Sequence, residues 1–201
     1  HFDETLDNPL GFIRDMFRVG PGSFDTFLIE GGPRIGGLIL ERILAGILPD
    51  NIPNDFSELR LPLQIVATDY YAQSRTIFDS GDLRFAMAAS SAIPAVFLPV
   101  ERDNRFYIDG NATDPCPIDI VDHTTNRVIA IDVSGGSHGD PTKRPGKLDV
   151  SYAAGQMMQR SIVNQKVRLF PDTVLLRPPV ENVFSLDFHK AREILDETAS
   201  L

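Results

Sequence analysis

Cysteine is almost absent from these 201 residues, with Cys116 standing alone. One thiol excludes an internal disulfide and any cysteine-based zinc cluster, and it is compatible with a reducing compartment. Positive charge is scarce as well. Nineteen Lys plus Arg face 28 Asp plus Glu, giving a formal charge of −9 and a pI near 4.8. A chain that tracks nucleic acid by neutralising phosphates carries the opposite balance, so nucleic acid is set aside as a partner. Broad adhesion to anionic lipid is disfavoured too, whereas a local apolar contact with a membrane is not. Long hydrophobic runs are lacking. The richest stretch, Phe27 to Leu48, is interrupted by Glu30, Arg34, Glu41, Arg42 and several glycines. That falls short of the roughly 20 nearly unbroken apolar residues a membrane span needs. The first residues, His1 to Asp7, are acidic where a secretory signal is basic and then apolar. Internal repeats and low-complexity tracts are missing as well. What remains is a soluble, folded chain of a length that suits one domain over residues 1–201.

Helical spacing places Leu10, Ile13, Met16 and Phe17 on one stripe, capped by Asp7 or Asn8. A second amphipathic helix runs from Ile35 and stops at Pro49-Asp50-Asn51. Its stripe reads as core packing, with a lipid-facing cap as the alternative. Four apolar runs read as strands: 63–67, 105–108, 128–133 and 173–176. Rich in Val and Ile without strict alternation, they suit strands covered on both faces. Helical stretches at 83–91, 117–122, 150–169 and about 186–197 separate or follow them. This alternation predicts an α/β layered domain with a mainly parallel sheet. Residues 135–146, rich in Gly, Pro and Ser, read as a surface loop.

In parallel sheets, chemistry gathers at the carboxyl edge of the strands. Thr68-Asp69, Asp109-Gly110-Asn111 and Asp132-Val133-Ser134 stand at such ends. A lone Asp there usually caps a helix or braces a turn, so none identifies a reaction by itself. His123, His138 and His189 are too scattered to suggest a metal set.

Taken together, these segments carry more. Ile65-Val66-Ala67-Thr68-Asp69 is followed by Phe78-Asp79-Ser80-Gly81-Asp82-Leu83 and then by Ala89-Ser90-Ser91-Ala92-Ile93-Pro94. Tyr107-Ile108-Asp109-Gly110-Asn111-Ala112 and Val128-Ile129-Ala130-Ile131-Asp132-Val133 complete the series. In order and spacing this closely resembles the patatin-like phospholipases, from about residue 30 onward and most specifically through 63–133. The resemblance implies a three-layer fold with a mainly parallel central sheet flanked by helices. It implies a lipid acyl hydrolase with a Ser–Asp dyad, no metal and no cofactor. Asp109 matches the family's catalytic Asp, while Gly110 and Asn111 support its motif. Asn111 replaces a small residue and suits a left-handed turn. Ser90 and Ser91 match supporting positions. The implied partners are a lipid or acyl-ester substrate and a transient contact with a membrane surface, with a cytoplasmic or peripheral membrane location.

The family's front elements, a Gly-rich oxyanion loop and a Gly-x-Ser-x-Gly elbow, are expected ahead of Ile65. Gly31-Gly32-Pro33-Arg34-Ile35-Gly36 superficially resembles the loop, but no serine elbow separates it from Ile65, so it fits a linker better. Gly135-Gly136-Ser137-His138-Gly139 is a literal Gly-x-Ser-x-Gly. An elbow turns directly into a helix, and Pro141 and Pro145 oppose one here. The expectation is the C-terminal portion of a patatin-like domain, with the nucleophile in an N-terminal segment that is missing here or associated non-covalently. Two rivals stand beside it: an inactive scaffold that binds lipid or a protein, and a hydrolase using Ser137, His189 and Asp172.

Overall fold

The computed structural model describes residues 51–94, 97–124, 127–134, 147–178 and 191–199, and eight single positions besides (40, 44, 46, 48, 49, 142, 144 and 145). The expected helix at 9–18 lies outside them; of the expected helix at 35–48, Leu40, Leu44 and Gly46 are described as helical and Leu48 as a bend. The chain divides into two units after Asp114.

The first unit is built on four strands: β1 (Ile65–Asp69), β2 (Ser74–Phe78), β3 (Val100–Arg102) and β4 (Arg105–Asp109). Their order is β2-β1-β4-β3, and every pairing is antiparallel. This corrects the parallel reading of the strands at 63–67 and 105–108. The reason lies in the connections. Asp103 and Asn104, with φ of 53° and 59°, alone join β3 to β4. A two-residue link between hydrogen-bonded strands permits only a hairpin. Four residues, ending at Gln73 with φ 51°, join β1 to β2 in the same way.

Helix α1 (Leu83–Ser90) packs on this sheet. Asp82 caps it by accepting the Phe85 N–H at 2.9 Å. Ala88 and Ala89 are fully buried, and their small side chains let the helix lie close to Ala67 of β1, while Ala86, equally buried, packs with Phe56 and Leu83. Phe78, Phe85 and Tyr107 meet edge to face with centroids 5.4 to 5.8 Å apart. The Arg102 guanidinium lies 3.6 Å over the Phe85 ring and pairs with Asp82 at 2.6 Å.

In the second unit β5 (Ile129–Ile131) pairs in parallel with β6 (Val174–Leu176). The long helix α2 (Lys147–Leu169) buries Val163 against Cys116, Ile118 and Ala130, with Val167, Phe170 and Leu175 alongside. Helix α3 (Ala191–Thr198) follows. The expected helix at 117–122 is a single 3-10 turn, Ile118–Ile120. Both strands of this pair were expected from the sequence, and the parallel pairing is as read.

Candidate active site

Asp109 is the last residue of β4, where the ladder ends opposite Ala67. Its own N–H donates to the Ala92 carbonyl at 3.0 Å, tying it to the end of α1. The chain then turns into a 3-10 helix, Gly110–Ala112, and Asp109 caps it: Oδ1 accepts the Asn111 N–H at 2.8 Å. The other carboxylate oxygen, Oδ2, accepts no hydrogen bond from the described residues. The side chain is half-buried, and that desolvation pushes its carboxyl above the ordinary range, only partly offset by the bond from Asn111.

The turn is locked against β1. Thr68, buried at the end of that strand, donates its hydroxyl to the Asp109 carbonyl at 3.1 Å and shares a 2.8 Å bond with the Thr113 hydroxyl. Gly110 is there for space, since a Cβ would sit 2.4 Å from the Val66 carbonyl oxygen. Its φ is not positive, and neither is that of Asn111. The left-handed turn expected at Asn111 is therefore absent. An exposed Asn is accommodated because it sits within an ordinary 3-10 turn. Asp114 donates its N–H to the Gly110 carbonyl at 2.8 Å, and its buried carboxylate meets Arg75 at 2.5 Å.

The other strand-end acids do structural work. Asp69 accepts the Ala72 N–H at 3.0 Å and pairs with Arg105 at 3.3 Å, bracing the β1–β2 turn. At Asp132 burial pushes the carboxyl up, but hydrogen bonds from Ser134 and Arg177 outweigh it and leave it below the usual range. Ser90 ends α1 and Ser91 caps it through its backbone N–H. His123 is half-buried. It stacks on Phe170 with centroids 4.6 Å apart and bonds the Ile118 carbonyl at 2.6 Å. Of the Ser137, His189 and Asp172 set, Ser137 and His189 lie outside the described residues, and Asp172 is exposed in the turn after α2. The Gly31–Gly36 segment lies outside them as well.

The structure thus gathers Thr68, Asp109, Gly110, Asn111 and Thr113 into one corner. Thr113 was not anticipated. Its signal was the pair of hydroxyl residues flanking the Asp-Gly step, legible only once Thr68 and Ile108 are known to be in register.

Comparison with known proteins bears on this corner. Residues 2–122 match the family model for the patatin-like phospholipases. Among curated proteins, the chain is 35% identical over 105 residues to an uncharacterized NTE family protein of Mycobacterium bovis, and equally to its counterparts in two strains of Mycobacterium tuberculosis. The aligned stretch is 52% of this chain and 29% of each of those proteins. Among the described residues, no helix is long and apolar enough to cross a membrane. With 121 of its residues inside the family model and the Asp-Gly corner built within that stretch, the chain belongs to the patatin-like phospholipase family.

Proposed function

We propose that this chain carries the general base of a lipid acyl hydrolase, with Asp109 serving a serine nucleophile supplied from outside the 201 residues. The observation that carries the reading is the Asp109 carboxylate. One oxygen is fixed by the Asn111 N–H, the other accepts no bond from the described residues, and burial raises the proton affinity of the group. A carboxylate with its ordinary pKa of about 3.9 is a feeble base at neutral pH, so a raised value moves it toward competence.

In the proposed reaction the unengaged oxygen takes the serine hydroxyl proton as Oγ attacks the ester carbonyl. Collapse of the tetrahedral intermediate breaks the acyl–oxygen bond, and Asp109 returns the proton to the departing alcohol. Water repeats the sequence to release the acid. Family membership supports an ester substrate presented by lipid, the three-layer fold around this sheet, and a peripheral encounter with membrane.

Replacing Asp109 by Asn in the intact enzyme tests this. It keeps the shape and the Asn111 contact but removes the base. Ester turnover is expected to fall by about 10²–10⁴ with the fold retained. A well-folded variant with near-normal turnover would overturn the assignment and leave Asp109 as a turn-bracing residue.

A further inference from the structure

Helix α2 departs from the character of the rest of the chain. From Val150 to Leu169 it holds no Asp or Glu, although the chain as a whole has a formal charge of −9. Three cations lie in that stretch. Lys166 is held by Asp119, whereas Arg160 and Arg168 form no ion pair with any described residue. They sit one turn to either side of Asn164, so the three share a helix face. Together with Met157, Ser161 and Gln165 they line a shallow cavity of about 330 Å³.

The lining has one chemical sense. Asn164 accepts a bond from Arg177 Nη2 at 2.5 Å, and Arg177 is anchored in turn by Asp132 at 2.9 Å. A guanidinium only donates, so the Asn164 atom facing it is the oxygen, which leaves the amide N–H₂ as its remaining group. The cavity wall therefore offers two guanidinium groups, the Asn164 N–H₂, the Ser161 hydroxyl and the Gln165 amide, with no carboxylate among the described residues that line it. Large apolar side chains are exposed on the same helix: Met157 at 71%, Met158 at 64% and Leu169 at 75%.

We propose that this face of α2 binds the phosphate of an anionic lipid headgroup at a bilayer surface, with Met157, Met158 and Leu169 resting at the apolar boundary. Free phosphate shares the charge chemistry but makes no use of the exposed apolar residues, which a lipid surface covers. Methionine suits such a fluid surface because it is unbranched and adaptable. Acids elsewhere in the chain do not forbid the contact, since charges beyond about 8 Å are largely screened at physiological salt. The inference stands on α2, outside the family-matched residues 2–122, and does not rest on the acyl-ester reading.

The test is co-sedimentation of the 201-residue protein with vesicles of dialkyl-ether phosphatidylcholine, alone or mixed with ether-linked phosphatidylglycerol. These lipids contain no ester, so hydrolysis cannot alter the result. Binding is expected to the anionic vesicles only, weakening as salt rises. The double variant Arg160→Gln/Arg168→Gln should partition about 30-fold less well, as two basic residues at an anionic surface imply. Arg60→Gln/Arg127→Gln removes the same charge elsewhere and should bind like the wild type. Met157→Ser/Met158→Ser keeps the charge and should also bind more weakly. Equal binding by the two arginine variants overturns the proposal, as does indifference to phosphatidylglycerol. Inorganic phosphate that binds α2 without any vesicle binding overturns the lipid assignment.

Discussion

Replacing Gly110 by Ala puts a methyl group where the first unit has no room. The new Cβ would lie 2.4 Å from the Val66 carbonyl oxygen and 3.0 Å from its carbon. Both are main-chain atoms, so no rotamer change relieves the contact. Either β1 or the Asp109 turn must retreat by at least about 0.6 Å to bring the oxygen to the 3.0 Å below which real Cβ atoms are essentially never found. Val66 is paired with Ile77 of β2, and its neighbour Ala67 with Asp109 of β4, so the movement strains both ladders. Overpacking costs about 1–3 kcal/mol. Weakening one or two ladder hydrogen bonds adds about 0.5–1.5 kcal/mol each. The stiffer unfolded chain offsets only about 0.4–1 kcal/mol. A net loss of about 2–4 kcal/mol follows, a large share of the 5–15 kcal/mol typical of a domain. Urea unfolding followed by far-UV circular dichroism measures it. Gly81→Ala is the comparison, because Gly81 has open space around it but a φ of +77°. It should lose about 1–2 kcal/mol from backbone strain alone. A Gly110→Ala protein within about 0.5 kcal/mol of wild type would refute the close-approach argument.

Gly155, inside α2 with nothing within 4 Å of a Cβ, gives the opposite sign: Gly155→Ala should raise stability by about 0.5–1 kcal/mol in the same titration, and any loss counts against it. Because burial raises the folded-state pKa of Asp109 above its unfolded value, the protonated form stabilises the fold fully below the unfolded pKa, and that stability is lost as pH rises through the folded pKa. Asp109→Asn should therefore melt higher than wild type at pH 7 and equally below about pH 3.9, where both side chains are neutral; a variant that melts lower at pH 7 would contradict the burial argument. A fluorophosphonate probe should leave Ser137 unmodified in the 201-residue chain, as mass spectrometry of the labelled peptides would show; stoichiometric modification there would revive the Ser137 hydrolase.

The strands that later proved central were visible as apolar runs, and α1 and α2 were placed to within a few residues. Strands β2 and β3 were not, because Ser74–Phe78 begins with polar residues and Val100–Arg102 holds one buried residue in three. Missing them concealed the hairpins, and with the hairpins the antiparallel order. The clue was Asp103-Asn104, a dipeptide of the residues that most readily adopt positive φ, set between two arginine-flanked short strands. At the site, Asp109 and Gly110 could be named from the Asp-Gly step. Thr113 could not, because its partner Thr68 is 45 residues away and becomes a neighbour only through strand register.

That register has a consequence for the order of assembly. Hairpins β1–β2 and β3–β4 each close over a handful of residues and form on a microsecond scale. Within the four-stranded sheet the β1–β4 ladder alone is non-local, bringing Thr68 to Asp109 across 41 residues. Closing a segment about ten times longer than a hairpin turn costs roughly 2 kcal/mol more in chain entropy. The corner that holds Asp109 is thus completed at the last step, by the most expensive contact in the sheet. Fraying of either hairpin leaves that corner closed. Hydrogen exchange at the Asp109 amide, bonded to the Ala92 carbonyl, accordingly reads the opening of this corner separately from the fraying of either hairpin.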